Sequence, residues 1–234
     1  MSGSDRRPRL LWPTVIAALG IIVLVGLGTW QTHRLARKER LIEAIEANRA
    51  APVLEMIPAD ARPGEFAFRR VHLSGRFLHD KEMYLTGRTY KGIVGLHVVT
   101  PLELADGRTV LVDRGWVSPD RAEPRLRPEG ASEEPAEVEG VIRPELERGP
   151  FTPDNRPDQN LWFTIDVPAM AAFTGIELLP TVVEAGPAEN PGGYPVGRDR
   201  PFEVRNDHLQ YALTWYALAV ALAVIYVIFL CRRR

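Results

Sequence analysis

His208, Tyr211 and Trp215 recur at helical spacing at the mouth of an uncharged stretch that runs from Leu209 to Leu230. An imidazole can serve as an axial ligand to iron, and two aromatic rings on its helical face can wall the space beside it. The same residues also fit the aromatic belt of a membrane interface, and the pattern alone leaves both readings open. His33 lies near the end of the other apolar stretch at a depth comparable with His208, so a bis-histidine site between two helices is also open. His72, His79 and His97 have no mutual metal-ligand spacing and read as strand or turn residues. The chain carries no nucleophile elbow, phosphate-binding glycine loop or metal-ligand cluster, and paired acids such as Glu133 and Glu134 fall in a polar excursion. It reads as a non-enzyme.

Two apolar stretches must position these residues. A helix from Leu209 to Leu230 rises about 33 Å, enough to cross a hydrocarbon core of about 30 Å. Leu10 to Thr29 is a second candidate, read as an uncleaved anchor in preference to a signal peptide, although Gly26-Leu27-Gly28 resembles a cleavage site. Ala17, Ala18, Gly20, Gly26 and Gly28 are small enough to let another helix approach closely. Neither stretch holds an ionisable residue at mid-membrane depth, which gives an ion or proton pathway no support.

Charge sets the expected topology. The terminal Arg232-Arg233-Arg234 marks the C-terminus as cytoplasmic, and two spans then put the N-terminus on the same side. Arg34, Arg37, Lys38 and Arg40 argue the other way. They lead into a long domain, however, and long domains translocate largely regardless of charge. The expected order is a cytoplasmic tail (1–9), a transmembrane helix (10–30), an extracytoplasmic domain (31–207), a second transmembrane helix (208–231) and a short cytoplasmic tail (232–234). A net charge of −1 gives no general attraction to nucleic acid, and the single cysteine, Cys231, excludes an intramolecular disulfide. Cys231 reads as filler, with palmitoylation as the functional alternative.

The intervening domain opens with a helix from Gln31 to Asn48, continuing the first span and ended by Pro52 and Pro58. Short strand signals follow at Phe68–Phe77, Glu82–Leu85, Gly95–Leu102, Thr109–Val117, Val138–Arg143, Leu161–Ile165 and Pro180–Glu184. Ala105-Asp106-Gly107 supplies a hairpin turn, and Val167–Phe173 a short helix ending at Gly175. Residues 119–136, rich in Pro, Glu and Arg, read as a mobile excursion, and Pro187–Gly197 as a linker. The expected fold class is an α+β membrane protein: two transmembrane helices flanking an antiparallel sheet that closes toward a small barrel, with short helices added.

Three motifs in register carry a resemblance. Gly28-Thr29-Trp30-Gln31 with Arg34 and Lys38, then Val112-Asp113-Arg114-Gly115-Trp116-Val117, then Asn206-Asp207-His208-Leu209-Gln210-Tyr211-Ala212-Leu213-Thr214-Trp215 together resemble the Surfeit locus protein 1 family of cytochrome c oxidase assembly factors. Arg37 departs from the family pattern, which has an aromatic there. The resemblance implies a role in supplying or stabilising haem a while the catalytic subunit of the oxidase matures. It implies as partners that subunit and the haem a delivery machinery, and as location the membrane, here the bacterial plasma (inner) membrane. It also points to His208 as the haem a ligand. Tyr211 and Trp215 would then wall the ligand, Arg34 and Arg205 would face its propionates, Trp30 would anchor the interface, and Gln31 would hydrogen-bond toward His208. Arg114-Gly115-Trp116 reads as structural, with an aromatic-cationic partner patch as the alternative. Two other functional classes stay open: a scaffold that holds oxidase assembly intermediates without touching haem, and a membrane-anchored sensory domain, for which no output module is visible.

Overall fold

A computed structural model describes residues 8–58, 61–62, 64–130, 132, 134–144, 148–188, 190–198 and 206–232. It divides into two compact units, Met1–Ala44 with Glu203–Arg234, and Ile45–Phe202. The first contains most of helix α1 (Pro8–Ala50) and all of helix α3 (His208–Cys231), both long and apolar enough to cross a membrane. The expected continuation of the first span into a charged amphipathic helix is present as one uninterrupted helix of 43 residues. Pro13 is the sixth residue of this helix, inside it and past the first turn, so one intrahelical hydrogen bond is missing there.

The second unit is built on seven strands. They are β1 (Arg70–Phe77), β2 (Met83–Tyr90), β3 (Ile93–Leu104), β4 (Thr109–Val117), β5 (Ala136–Ile142), β6 (Leu161–Trp162) and β7 (Val182–Ala185). β1, β5, β7, β4 and β3 pair in that order, and β1 pairs again with β3, so five strands close into a barrel. The long strand β3 makes closure possible by changing partner along its length. Its first part pairs with β2 through Met83↔Val99, and its last part pairs with β1 through Gly75↔Leu104. The sheet is mixed: β4–β7 and β2–β6 run parallel, and the remaining pairs antiparallel. A parallel pair needs a crossover, and here the long chain between β4 and β7 supplies it.

Side-chain alternation explains two cores. Val71, Leu73, Leu102, Val110, Val112, Val138, Ile142 and Val183 fill the barrel. Met83, Leu85, Val99, Leu111 and Val182 point the other way and meet Trp162 and Met170. Met170 lies on α2 (Val167–Thr174), whose N-terminus is capped by Asp166 Oδ1 accepting the Ala169 N–H at 3.0 Å. The strand expected at Leu161–Ile165 is only the two residues of β6.

The excursion at 119–136 is more anchored than its composition implies. Three short 3₁₀ turns bring Arg127 to a 3% exposed position, where its guanidinium meets Glu82 at 2.5 and 3.2 Å. Charged composition misleads here because the charge is paired rather than solvated. Arg114 lies 3.5 Å from the same carboxylate, donates to the Gly130 carbonyl at 2.8 Å and stacks 4.5 Å over the Phe77 ring. Burial pulls the Arg114 guanidinium down to about 10 against the attraction of Glu82, with Arg127 adding to the depression. Burial alone would push the Glu82 carboxyl up. Hydrogen bonds from His79 and Arg127 and the charge of both arginines outweigh it, and the group sits below its ordinary value.

Two consequences can be measured. Glu82→Gln leaves two buried guanidiniums without a carboxylate, and should lower unfolding stability on the order of 3 kcal/mol in a urea titration. The second concerns His72, held by Glu55 at 3.0 Å and Glu137 at 3.2 Å, with its imidazole raised above its ordinary value chiefly by the Glu55 hydrogen bond. A raised folded-state value gives stability that is complete below about pH 6.5 and is lost as pH rises through the folded value. His72→Ala should therefore lower the melting midpoint at pH 5.5 and leave it unchanged at pH 9. Equal losses at both pH values would contradict this account.

Candidate functional site

The helix pair is held by small residues and by polar atoms at both ends. Buried or half-buried positions on α1 recur at Ala17, Gly20, Leu24, Gly28 and Gln31, and on α3 at His208, Ala212, Trp215, Ala219 and Leu222. Spacings of three and four residues place each set on one face, and the two faces meet antiparallel. The Thr14 and Tyr226 hydroxyls meet at 2.5 Å near one end, and those of Thr29 and Tyr216 at 3.2 Å toward the other. Gly28 is where backbone and ring come closest: a methyl group there would lie 2.7 Å from the Tyr216 ring. A glycine-sized residue is therefore required at that level.

At the end of this seam His208 Nδ1 meets Gln31 Oε1 at 2.8 Å. Gln31 is only 9% exposed, so its carbonyl needs a donor, and the imidazole N–H supplies it. An Nδ1–H tautomer leaves the lone pair on Nε2, which takes no hydrogen bond among the described residues. An imidazole oriented by an amide carbonyl, with its second nitrogen free, is what a metal-ligating histidine requires. These residues therefore fit an axial ligand to haem iron.

The remaining expected site residues divide. Arg34, one turn beyond Gln31, stacks its guanidinium 4.8 Å over the Trp30 ring, so these two form one cationic-aromatic element on α1. Trp30 is 48% exposed and Tyr211 54% exposed, both flanking the seam, whereas Trp215 is half-buried within it. Arg205 lies outside the described residues. His33 is exposed, and two residues beyond Gln31 it points about 200° away from the seam, which separates it from His208. Among the described residues no group of three His, Cys, Asp or Glu side chains could hold a metal ion.

A second polar constellation, in the barrel unit, went unrecognised in the sequence. Fully buried Asp113 accepts from His97 Nδ1 at 2.9 and 3.0 Å, from Arg143 Nη1 at 3.1 Å and from the Gly115 N–H at 3.2 Å. Burial would raise its carboxyl. The His97 hydrogen bond and charge, with Arg143 and Arg88, hold it below the ordinary value. The available signal was an aspartate directly after the apolar run Val110-Leu111-Val112 within one strand pattern, since a buried carboxylate must find partners.

Comparison with known proteins fits this architecture. The model of the SURF1 family matches residues 18–220, most of the chain. A SURF1-like protein of Monosiga brevicollis is 38% identical over 239 aligned positions, covering 95% of this chain and 88% of that protein. Surfeit locus protein 1 of Mus musculus is 36% identical over 214 positions, covering 84% of this chain and 68% of the mouse protein. A SURF1-like protein of Rickettsia conorii is 31% identical over 217 positions, covering 91% and 88%.

The seam itself is testable. Gly28→Leu should lower the midpoint of SDS-induced unfolding in bicelles, and adding Tyr216→Ala should restore part of the loss. Strictly additive effects would show that Gly28 and Tyr216 do not share a contact.

Proposed function

The chain belongs to the SURF1 family, and from that premise we propose that it is an assembly factor for cytochrome c oxidase that holds haem a during maturation of the catalytic subunit. The observation that carries the haem reading is the hydrogen bond between His208 Nδ1 and Gln31 Oε1, 2.8 Å long. It ties the ligand candidate on one helix to a buried amide on the other, and it leaves Nε2 for iron. Haem a, when bound, brings an iron that takes an imidazole as axial ligand, propionates that want cations, and a long apolar tail that suits lipid or a helix groove. Arg34, held against Trp30, supplies a cation for a propionate, with Arg205 as the second candidate. Trp215 and Tyr211 supply aromatic surface on the turns after His208. One neutral ligand and a few exposed contacts favour modest affinity, which suits a protein that must release its cargo.

We infer the topology from charge: both termini cytoplasmic, the barrel unit extracytoplasmic, and the membrane that of a respiring bacterium. The terminal arginines support this orientation. The partners inferred are the oxidase catalytic subunit and the haem a delivery machinery. A scaffold that holds assembly intermediates without binding haem is the rival reading.

Purification from cells that make haem a, followed by optical spectroscopy, separates the two. Wild type should carry haem a, His208→Ala should lose its axial-ligand band, and Gln31→Leu should weaken retention about 10- to 100-fold. Equal haem a content in wild type and His208→Ala would remove His208 from the ligand role. A haem-free wild type that still captures the oxidase subunit would favour the scaffold.

A further inference from the structure

The polar constellation on the outer face of the barrel has more cationic groups than its carboxylates can serve. The strands that bury Val99, Leu111 and Val182 beneath α2 present His97, Asp113 and Glu184 two residues further along on the same face. Asp113 is committed to three donors, the His97 Nδ1–H shared between its two oxygens, Arg143 Nη1 and the Gly115 N–H. Glu184 is occupied by Arg198, whose Nη1 donates to both carboxylate oxygens at 2.8 and 2.9 Å. Arg88 comes to the same place from β2. Its backbone carbonyl accepts the Trp116 indole N–H at 3.3 Å, and its charge acts on Asp113. Its buried Nε has no partner, as is also true of Arg69 and Arg114, but unlike them its guanidinium makes no side-chain hydrogen bond or ion pair among the described residues. Burial, with Arg143 adding to it, holds the Arg88 guanidinium below its ordinary value against the weaker attraction of Asp113 and Glu184.

A half-buried guanidinium beside a second one, with both nearby carboxylates committed elsewhere, is a costly arrangement unless an anion completes it. We propose that Arg88 and Arg143, with His97 alongside, form a binding site for an oxyanion, a phosphate or carboxylate group, on the outer face of the barrel. Arg143 is anchored by Asp113 at 3.1 Å and so is pre-aimed, while Arg88 supplies the uncommitted charge. His97 donates Nδ1–H to Asp113, which holds its half-buried ring alongside the two guanidiniums. The aromatic pair Tyr90 and Trp116, with ring centroids 5.4 Å apart, flanks the site. Tyr90 also lines a separate concavity of about 710 Å³ with Pro187, Asn190, Pro195 and Val196, next to the aromatic pair. This assignment is independent of the haem reading, because it uses no residue of the helix pair.

The test uses the full chain in nanodiscs of zwitterionic lipid, so that no anionic headgroup competes. Thermal unfolding is followed by tryptophan fluorescence while phosphate or acetate replaces chloride at constant ionic strength. Wild type should show a saturable rise in midpoint with at least one of the two anions; response to one alone assigns the anion class. Arg88→Gln should need about tenfold or more anion for half the effect, the loss expected for one charge-assisted contact. Arg88→Lys should retain part of the response. In chloride alone Arg88→Gln should be at least as stable as wild type, because it removes an uncompensated cation, and the order should reverse in saturating anion. No saturable response in wild type, or equal responses in wild type and Arg88→Gln, would overturn the proposal.

Discussion

Strand β4 sets the terms for the barrel unit because it is buried along all nine of its residues yet carries two charges. A buried strand with Asp113 and Arg114 side by side can only survive if each finds its own partners. The register shift that skips Arg114 between Val98↔Gly115 and Val99↔Asp113 makes this possible. Asp113 then faces His97 and Arg143 on the outer side. Arg114 joins Glu82 and Arg127 beside Phe77, which packs on the barrel interior. Gly115 takes φ +114°, and a side chain there would overlap the Val196 carbonyl that accepts the Trp116 N–H at 2.8 Å. The glycine thus serves both the bulge and the close approach of the following chain.

The helix pair solves a different problem with different residues. Between two apolar helices in lipid no hydrophobic gain favours contact, so close packing and a few hydrogen bonds must supply it. Gly20 and Gly28 give the closeness, and three polar contacts, Thr14–Tyr226, Thr29–Tyr216 and Gln31–His208, give the register. The last differs in kind. A hydroxyl pair can reorient, whereas an amide carbonyl fixes which imidazole nitrogen bears the proton. The same bond that sets helix register therefore also fixes the tautomer that the proposed ligand role of His208 needs.

Much of this was legible in the sequence. Uninterrupted apolar length marked both helices that are long enough to cross a membrane, and alternation with turn residues marked the strands and the tendency to close. Gln31 was expected to reach toward His208 and does. Mixed strand direction was not legible, because periodicity in a short run such as Val182-Val183 carries no information about which way its neighbour runs. Composition failed at residues 119–136 for a physical reason: Arg127 looks solvent-bound until Glu82, 45 residues earlier in the chain, is known to face it. The Asp113 network failed likewise, since His97, Asp113, Arg143 and Arg88 come from four separate segments. Long-range charge pairing leaves no local pattern to read.

The two polar systems also differ in how complete they are, and that difference carries information. The Glu82 cluster surrounds one carboxylate with Arg114, Arg127 and His79 and uses the carbonyls of Gly130, Arg121 and Ser132 to absorb the remaining donors. Every charge in this cluster has an opposite charge beside it, although the buried Arg114 Nε takes no hydrogen bond; removing any member leaves a charge stranded, which is how a structural network behaves. Around Asp113 the carboxylate is committed to three donors while Arg88 has no ion pair among the described residues, so this network is open on its donor side. Unsatisfied buried donors are rare enough in folded proteins to need a cause. Arg69 and Arg114 also bury an unpartnered Nε, but each spends its terminal nitrogens on a carbonyl, whereas Arg88 has no ion pair among the described residues, and that is the difference on which the anion-site proposal rests.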